Sequence, residues 1–245
     1  MPSIEFSPIY HPIFEALAYF VGFRVFLWGR KKQQGVVLDT QLWIWLAVGA
    51  ILGAALGSKV VFWLQDPITL GENWRELRTW MAGKTVVGGF LGGVLGVEIT
   101  KKLHGISQAT GDVFVGPMTL GLILGRLGCF FAGLSDRTYG LPSAMPWAID
   151  FGDGIPRHPT QLYEIIFLLG FWFALKGLGD LPRQGDRFKL WMMGYLVFRL
   201  LVEWIKPMPF AYAGVVSGIQ LACLAGLGYY LPHSWRILRV RKPHP

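Results

Sequence analysis

The chain has 245 residues, 53% of them hydrophobic and only 16% charged, with a net charge of +8. A soluble domain of this length carries more charge, and the basic residues form short clusters between apolar runs, which speaks against nucleic acid as partner. The 11 Trp and 8 Tyr suit the water–bilayer boundary, so the composition is that of an integral membrane protein.

The N-terminus has no charged segment before its first apolar stretch, so no cleavable signal peptide is expected. A bilayer-spanning helix needs about 20 largely apolar residues. Seven stretches qualify as candidates, 12–28, 41–64, 85–100, 112–132, 160–178, 190–205 and 213–231. The fold expected is therefore all-α, a polytopic membrane protein of about seven transmembrane helices, forming a single transmembrane domain over 1–245.

The connecting segments alternate in charge. One set holds Arg30, Lys31 and Lys32, then Lys101 and Lys102, then Lys176, Arg183, Arg187 and Lys189, then a tail with Arg236, Arg239, Arg241 and Lys242. The other holds Arg75, Arg78, Arg137, Arg157 and Lys206, with Lys84 at a helix mouth. The richer set belongs in the cytoplasm. That puts the N-terminus outside and the C-terminus inside, as an odd number of spans requires.

Two outer loops are long. Residues 65–84 read as an interfacial amphipathic helix over 72–81. Residues 133–157, rich in Gly, Pro and Asp, read as a small extracytoplasmic head between helices 4 and 5, with short strands around 145–151. No repeat suggests a transporter built from two halves.

Gly49, Gly53 and Gly57 recur every four residues, as do Gly88, Gly92 and Gly96. Small residues at that spacing let helices approach closely, and they can also make room for a lipid headgroup. The two cysteines, Cys129 and Cys223, lie inside apolar segments and read as small buried hydrophobes. The five histidines are scattered without metal-ligand spacing, so neither metal nor cofactor is expected.

Ionisable groups inside apolar segments are costly and usually functional. They are Glu15, Arg24, Lys59, Glu98, Arg126, Glu164, Arg199 and Glu203. Arg24 and Lys59 can snorkel or pair near an interface. Arg126 sits between Gly125 and Gly128, deep in an apolar run. Arg199 and Glu203 are four apart, so they share a helix face. A guanidinium binds phosphate in a planar, bidentate way and keeps its charge, so two such arginines point to an anionic lipid headgroup. Arg157, His158, Pro159, Thr160, Gln161, Leu162, Tyr163 and Glu164 open the fifth span, with His158, Gln161 and Glu164 on roughly one side.

The runs RHPTQLYE (157–164), GRLG (125–128) and FRLLVE (198–203), with the double glycine Gly88 and Gly89, resemble the prolipoprotein diacylglyceryl transferase family over roughly residues 10 to 230. The resemblance implies a seven-helix protein of the inner (plasma) membrane with a periplasmic head. It implies transfer of a diacylglyceryl group from phosphatidylglycerol to the lipobox cysteine of a secreted precursor, with release of glycerol phosphate. Arg126 and Arg199 match the arginines proposed for the phosphate, and Glu203 their acidic partner. With His158 these make the expected catalytic set. Gly88, Gly89, Gly128, Arg157, Gln161, Tyr163, Glu164, Asp136, Lys84, Glu98 and Glu15 make the expected substrate-binding set.

The chain also departs from the family pattern. Val87 stands where the family has histidine before the double glycine, Cys129 where it has asparagine, Leu134 where it has glutamate and Glu15 where it has tyrosine. Glu15, Lys84 and Glu98 are the polar residues expected to compensate. Two further readings follow from these departures, the same lipid donor with another acceptor and a non-catalytic phospholipid-binding relative.

Overall fold

The computed structural model describes residues 6–32 and 38–240. Helices dominate: α1 (Tyr10–Lys32), α2 (Thr40–Gln65), α3 (Pro67–Glu72), α4 (Leu77–Met81), α5 (Val86–Leu103), α6 (Val115–Ala132), α7 (Thr160–Gly177), α8 (Asp186–Val202) and α9 (Gly218–Val240). Among the described residues three stretches, Tyr10–Lys31, Thr40–Gln65 and Asp112–Asp136, are long and apolar enough to cross a bilayer. Their outward faces are apolar: Ile13, Phe20 and Phe23 on α1 and Ile51, Leu52 and Leu56 on α2 are exposed. Such surface is costly in water and suits lipid, so this is a membrane protein. Arg241 and Lys242, used above for orientation, lie outside the described residues.

The chain divides into two compact units. The first holds 1–34, 110–198 and 204–207. In it α1 packs along α6, with Gly128 facing the Cβ of Phe14 and the Phe26 and Phe114 rings stacked at 5.0 Å. The Asp112 carboxylate accepts the amides of Gly185 (2.7 Å) and Phe188 (2.9 Å), capping the start of α8 from a distant part of the sequence. That cap explains why α8 begins at Asp186 rather than 190.

The second unit holds 35–109, 199–203 and 208–245. Its centre is the α2 and α5 pair, built on the two glycine series. A Cβ on Gly53 would strike the carbonyl of Gly92, and one on Gly57 the carbonyl of Gly88. The glycines therefore bring the two backbones into direct contact.

The structure corrects several local expectations. The single interfacial helix over 72–81 is instead two short helices. Asp66 caps α3 through Thr69, the Asn73 amide closes it on the Thr69 carbonyl, and α4 starts only at Leu77. Of the alternatives expected for Lys59, the structure shows pairing: its ammonium donates to the carbonyls of Met81, Ala82 and Gly83 at the end of α4. The strands expected around 145–151 are β1 (Ile149–Asp150) paired antiparallel with β2 (Pro156–Arg157). The last helix starts at Gly218, not Ala213, because Ala213 and Gly214 turn with positive φ (50° and 74°). Ser217 and Gln220 then form a reciprocal capping box, the Gln220 amide on Ser217 Oγ (3.1 Å) and the Ser217 amide on Gln220 Oε1 (2.9 Å).

Candidate functional site

In the first unit, α6 and α7 bury an arginine and a glutamate against each other. Arg126 Nε lies 2.9 Å from Glu164 Oε2, and both side chains are buried. The N–H is not aligned with the carboxylate, so the contact is an ion pair rather than a linear hydrogen bond. Glu164 Oε1 accepts from the Tyr195 hydroxyl at 2.8 Å. The Tyr195 ring stacks on Trp191, whose indole donates to Thr119 Oγ1 at 2.9 Å. The carboxylate is thus fixed from both sides, and it fixes the guanidinium. Arg126 Nη1 reaches Cys129 Sγ at 3.9 Å, one turn along α6.

Beyond Cys129 lies a group that sequence spacing hides. His11, in the first turn of α1, has Nδ1 2.7 Å from Asp136 Oδ1 and 4.0 Å from Cys129 Sγ. His11 Nε2 faces Glu15 Oε2 at 3.7 Å, and Glu15 Oε1 accepts from the Tyr19 hydroxyl at 3.1 Å. Asp136 Oδ2 accepts from Thr138 Oγ1 at 2.5 Å, and Thr138 Oγ1 accepts from Gln161 Nε2 at 3.1 Å. A hydrogen-bonded chain therefore runs from buried Gln161 through Thr138 to Asp136, whose carboxylate meets half-exposed His11 at 2.7 Å. His11, Cys129 and Asp136 offer ligand atoms within 4.8 Å of one another. Within the trio Nδ1 and the Asp136 carboxylate stand at ion-pair distance with the Cys129 thiol beside them.

The RHPTQLYE segment does not act as one face. His158 precedes α7, and its Nδ1 lies 3.1 Å from the Tyr163 hydroxyl, which accepts from Trp147 at 2.7 Å. Gln161 turns to Thr138 and Glu164 to Arg126, so the expected convergence of His158, Gln161 and Glu164 is not found. Helical spacing does not apply to His158, because Thr160 is the first helical residue. Arg157 lies on β2, in a bidentate pair with Asp153 (2.6 and 2.7 Å) and over the Tyr139 ring at 4.9 Å. The Arg157 guanidinium holds the Asp153 carboxyl below its usual range.

In the second unit, Arg199 Nη2 pairs with Glu203 Oε2 at 3.1 Å, as the four-residue spacing predicts, and both are buried. Gly88 packs on the α2 backbone, and Gly89 lies more loosely beside Ser58. Lys84 precedes α5, on the rim of a cavity of about 430 Å³ lined also by Ser58, Lys59 and Gly83. Glu98 lies near the other end of α5 and pairs with Lys101 at 3.1 Å. Lys84 and Glu98 therefore do not meet, and of the three compensating residues expected Glu15 alone faces a histidine. His11 escaped sequence reasoning because nothing local marks it. The one available signal was an unexplained acid, Asp136, following the GRLG run.

The family model for prolipoprotein diacylglyceryl transferase matches residues 5–232. Relatives described as phosphatidylglycerol–prolipoprotein diacylglyceryl transferases match over most of their length. One from Methylocella silvestris is 30% identical, covering 91% of this chain and 92% of its own. One from Bordetella parapertussis is 32% identical (88% and 86%), and one from Methylobacillus flagellatus 31% (91% and 89%). With the match spanning nearly all of both sequences, the chain belongs to the prolipoprotein diacylglyceryl transferase family.

Proposed function

We propose that this protein transfers a diacylglyceryl group from phosphatidylglycerol to the lipobox cysteine of prolipoproteins in the inner (plasma) membrane. The observation that carries the reading is buried Arg126, held by Glu164 in a family whose relatives are named for this reaction. A fixed guanidinium in a low-dielectric site stabilises the charge that gathers on a departing phosphate and needs no reorganisation as the reaction proceeds. By resemblance, Arg199, paired with Glu203, is an arginine for lipid phosphate. Gly128, Gly88 and Gly89 belong to the same family runs. From α7, Glu164 supports Arg126 and Gln161 supports Thr138, while Arg157, His158 and Tyr163 line the mouth.

In this reading the seven long helices all span the bilayer, with the N-terminus outside and the C-terminus in the cytoplasm. Residues 133–157 form the extracytoplasmic head of a single transmembrane domain. The loop charge asymmetry supports that orientation.

The test is a detergent-reconstituted assay with labelled phosphatidylglycerol and a lipobox-cysteine peptide. The expected result is a diacylglyceryl mass shift on the peptide with release of glycerol phosphate. Lipid turnover without peptide modification would replace the acceptor. Lipid retention without turnover would make the protein a binding relative.

A further inference from the structure

We propose that His11, oriented by Asp136, is the general base that takes the proton from the acceptor thiol. The assignment rests on the transferase reading above. Transfer to a thiol needs a proton acceptor, because the thiolate is the nucleophile. Val87 stands where the family carries its histidine, so the base has to come from elsewhere in this chain.

The geometry suits His11. Asp136 Oδ1 stands 2.7 Å from Nδ1, so the carboxylate sets the ring's orientation and favours the tautomer with Nε2 as the basic nitrogen, as in the imidazole of acyl-transfer triads. Asp136 is held in place by Thr138 and, through it, by Gln161 of α7. The His11 side chain keeps 34% of its surface exposed, so an acceptor can reach it. Through Cys129 the dyad is continuous with Arg126, which lies 3.9 Å from the thiol that His11 approaches to 4.0 Å. Base and phosphate-binding cation therefore stand side by side in one unit, as an in-line displacement demands.

The step balances without further reactants. The acceptor S–H bond breaks and its proton goes to His11 Nε2. The sulfur forms an S–C bond to the sn-3 carbon of the lipid as that carbon's C–O bond to phosphate breaks. The electron pair leaves on glycerol phosphate. The charged groups facing His11 are Glu15 on its own helix and Asp136, with Cys129 beside it and Arg126 beyond.

The experiment is the same peptide transfer assay, run from pH 6.5 to 9 on the full chain and on His11→Gln and Asp136→Asn. General-base catalysis is worth about 10²–10⁴-fold, so His11→Gln is expected to lose at least about 100-fold at pH 7. An acceptor thiol of pKa about 8.5 ionises unaided at higher pH. The His11→Gln rate is therefore expected to climb about 20-fold between pH 7 and 9, a rise that the wild type does not share. Asp136→Asn is expected to lose at least about tenfold with the same recovery and an unchanged KM for lipid. Three results would overturn the assignment: a His11→Gln rate within threefold of wild type, an equal loss in both variants at every pH, or activity removed by a chelator and restored by zinc. A wild-type chain that transfers nothing to the peptide would overturn the transferase reading, and this assignment with it.

Discussion

Arg126 Nε lies 2.9 Å from Glu164 Oε2 while Tyr195 donates to the other oxygen of the same carboxylate. The cation proposed for the lipid phosphate is thus buried together with its counter-ion, on a different helix. Removing either partner leaves an uncompensated buried charge, which costs about 3–5 kcal/mol. Replacing the guanidinium by an ammonium keeps the charge and loses the planar fork.

Arg126→Lys is therefore expected to fold, with a melting temperature in detergent near wild type, and to lose about 100-fold or more in kcat/KM for lipid. Arg126→Gln is expected to lose both activity and several degrees of melting temperature. A fully active lysine variant would mean that the charge alone matters and the fork does not.

Arg199→Gln is expected to bring glycerol phosphate release to about 1% of wild type, in line with the loss of one transition-state cation. Glu203→Gln keeps a hydrogen-bond acceptor at the 3.1 Å contact and should cost less. Comparing the two rates in one preparation checks the order, and the reverse order would assign the chemistry to the carboxylate.

Cys129→Ala is expected to change the transfer rate by less than about threefold, because its sulfur contacts, at 3.9 and 4.0 Å, are weak hydrogen bonds. A large loss in single-turnover measurements would reveal a thiol role.

Gly53→Leu is expected to prevent α2 and α5 from docking, since even a Cβ there collides with the Gly92 carbonyl. Overpacking of a flexible core costs about 1–3 kcal/mol, and here the obstacle is backbone, so the penalty lies at the upper end or above. Loss of the monodisperse peak in detergent chromatography would register it, whereas Gly71→Ala, with open space around the site, should be silent.

The Asp153 and Arg157 pair carries a pH signature. Arg157 holds the Asp153 carboxyl below its ordinary value, so the pair stabilises the fold above the unfolded carboxyl's pKa of about 3.9 and stops doing so as pH falls through the lower folded value. Proteolysis of residues 133–157 should be flat between pH 5 and 8 and rise only below about pH 4. Asp153→Asn should remove that acid-dependent rise.

Much of the architecture was legible from residue order alone. Apolar run lengths located the long helices to within a few residues at most ends. The glycine periods foretold close helix approach, because a helix repeats its face every three to four residues whatever surrounds it, and the structure supplied the pairing of α2 with α5. The Arg199 and Glu203 pair was legible for the same reason. Where the sequence reading missed, the determinant was not local. α8 starts at Asp186 because Asp112, far away in sequence, caps it. The interfacial helix breaks where Asp66 and Asn73 close a turn.

The site divides along the same line. Sequence alone marked Arg126 and Arg199 as cations inside apolar segments and picked out the runs shared with the family, since charge inside an apolar segment is visible without coordinates. The tertiary structure decided their partners: Glu164 for Arg126, Thr138 for Gln161, and Asp136 for His11. Those pairings join residues on different elements, and the strength of a hydrogen bond or ion pair depends on distance and burial rather than on position along the chain.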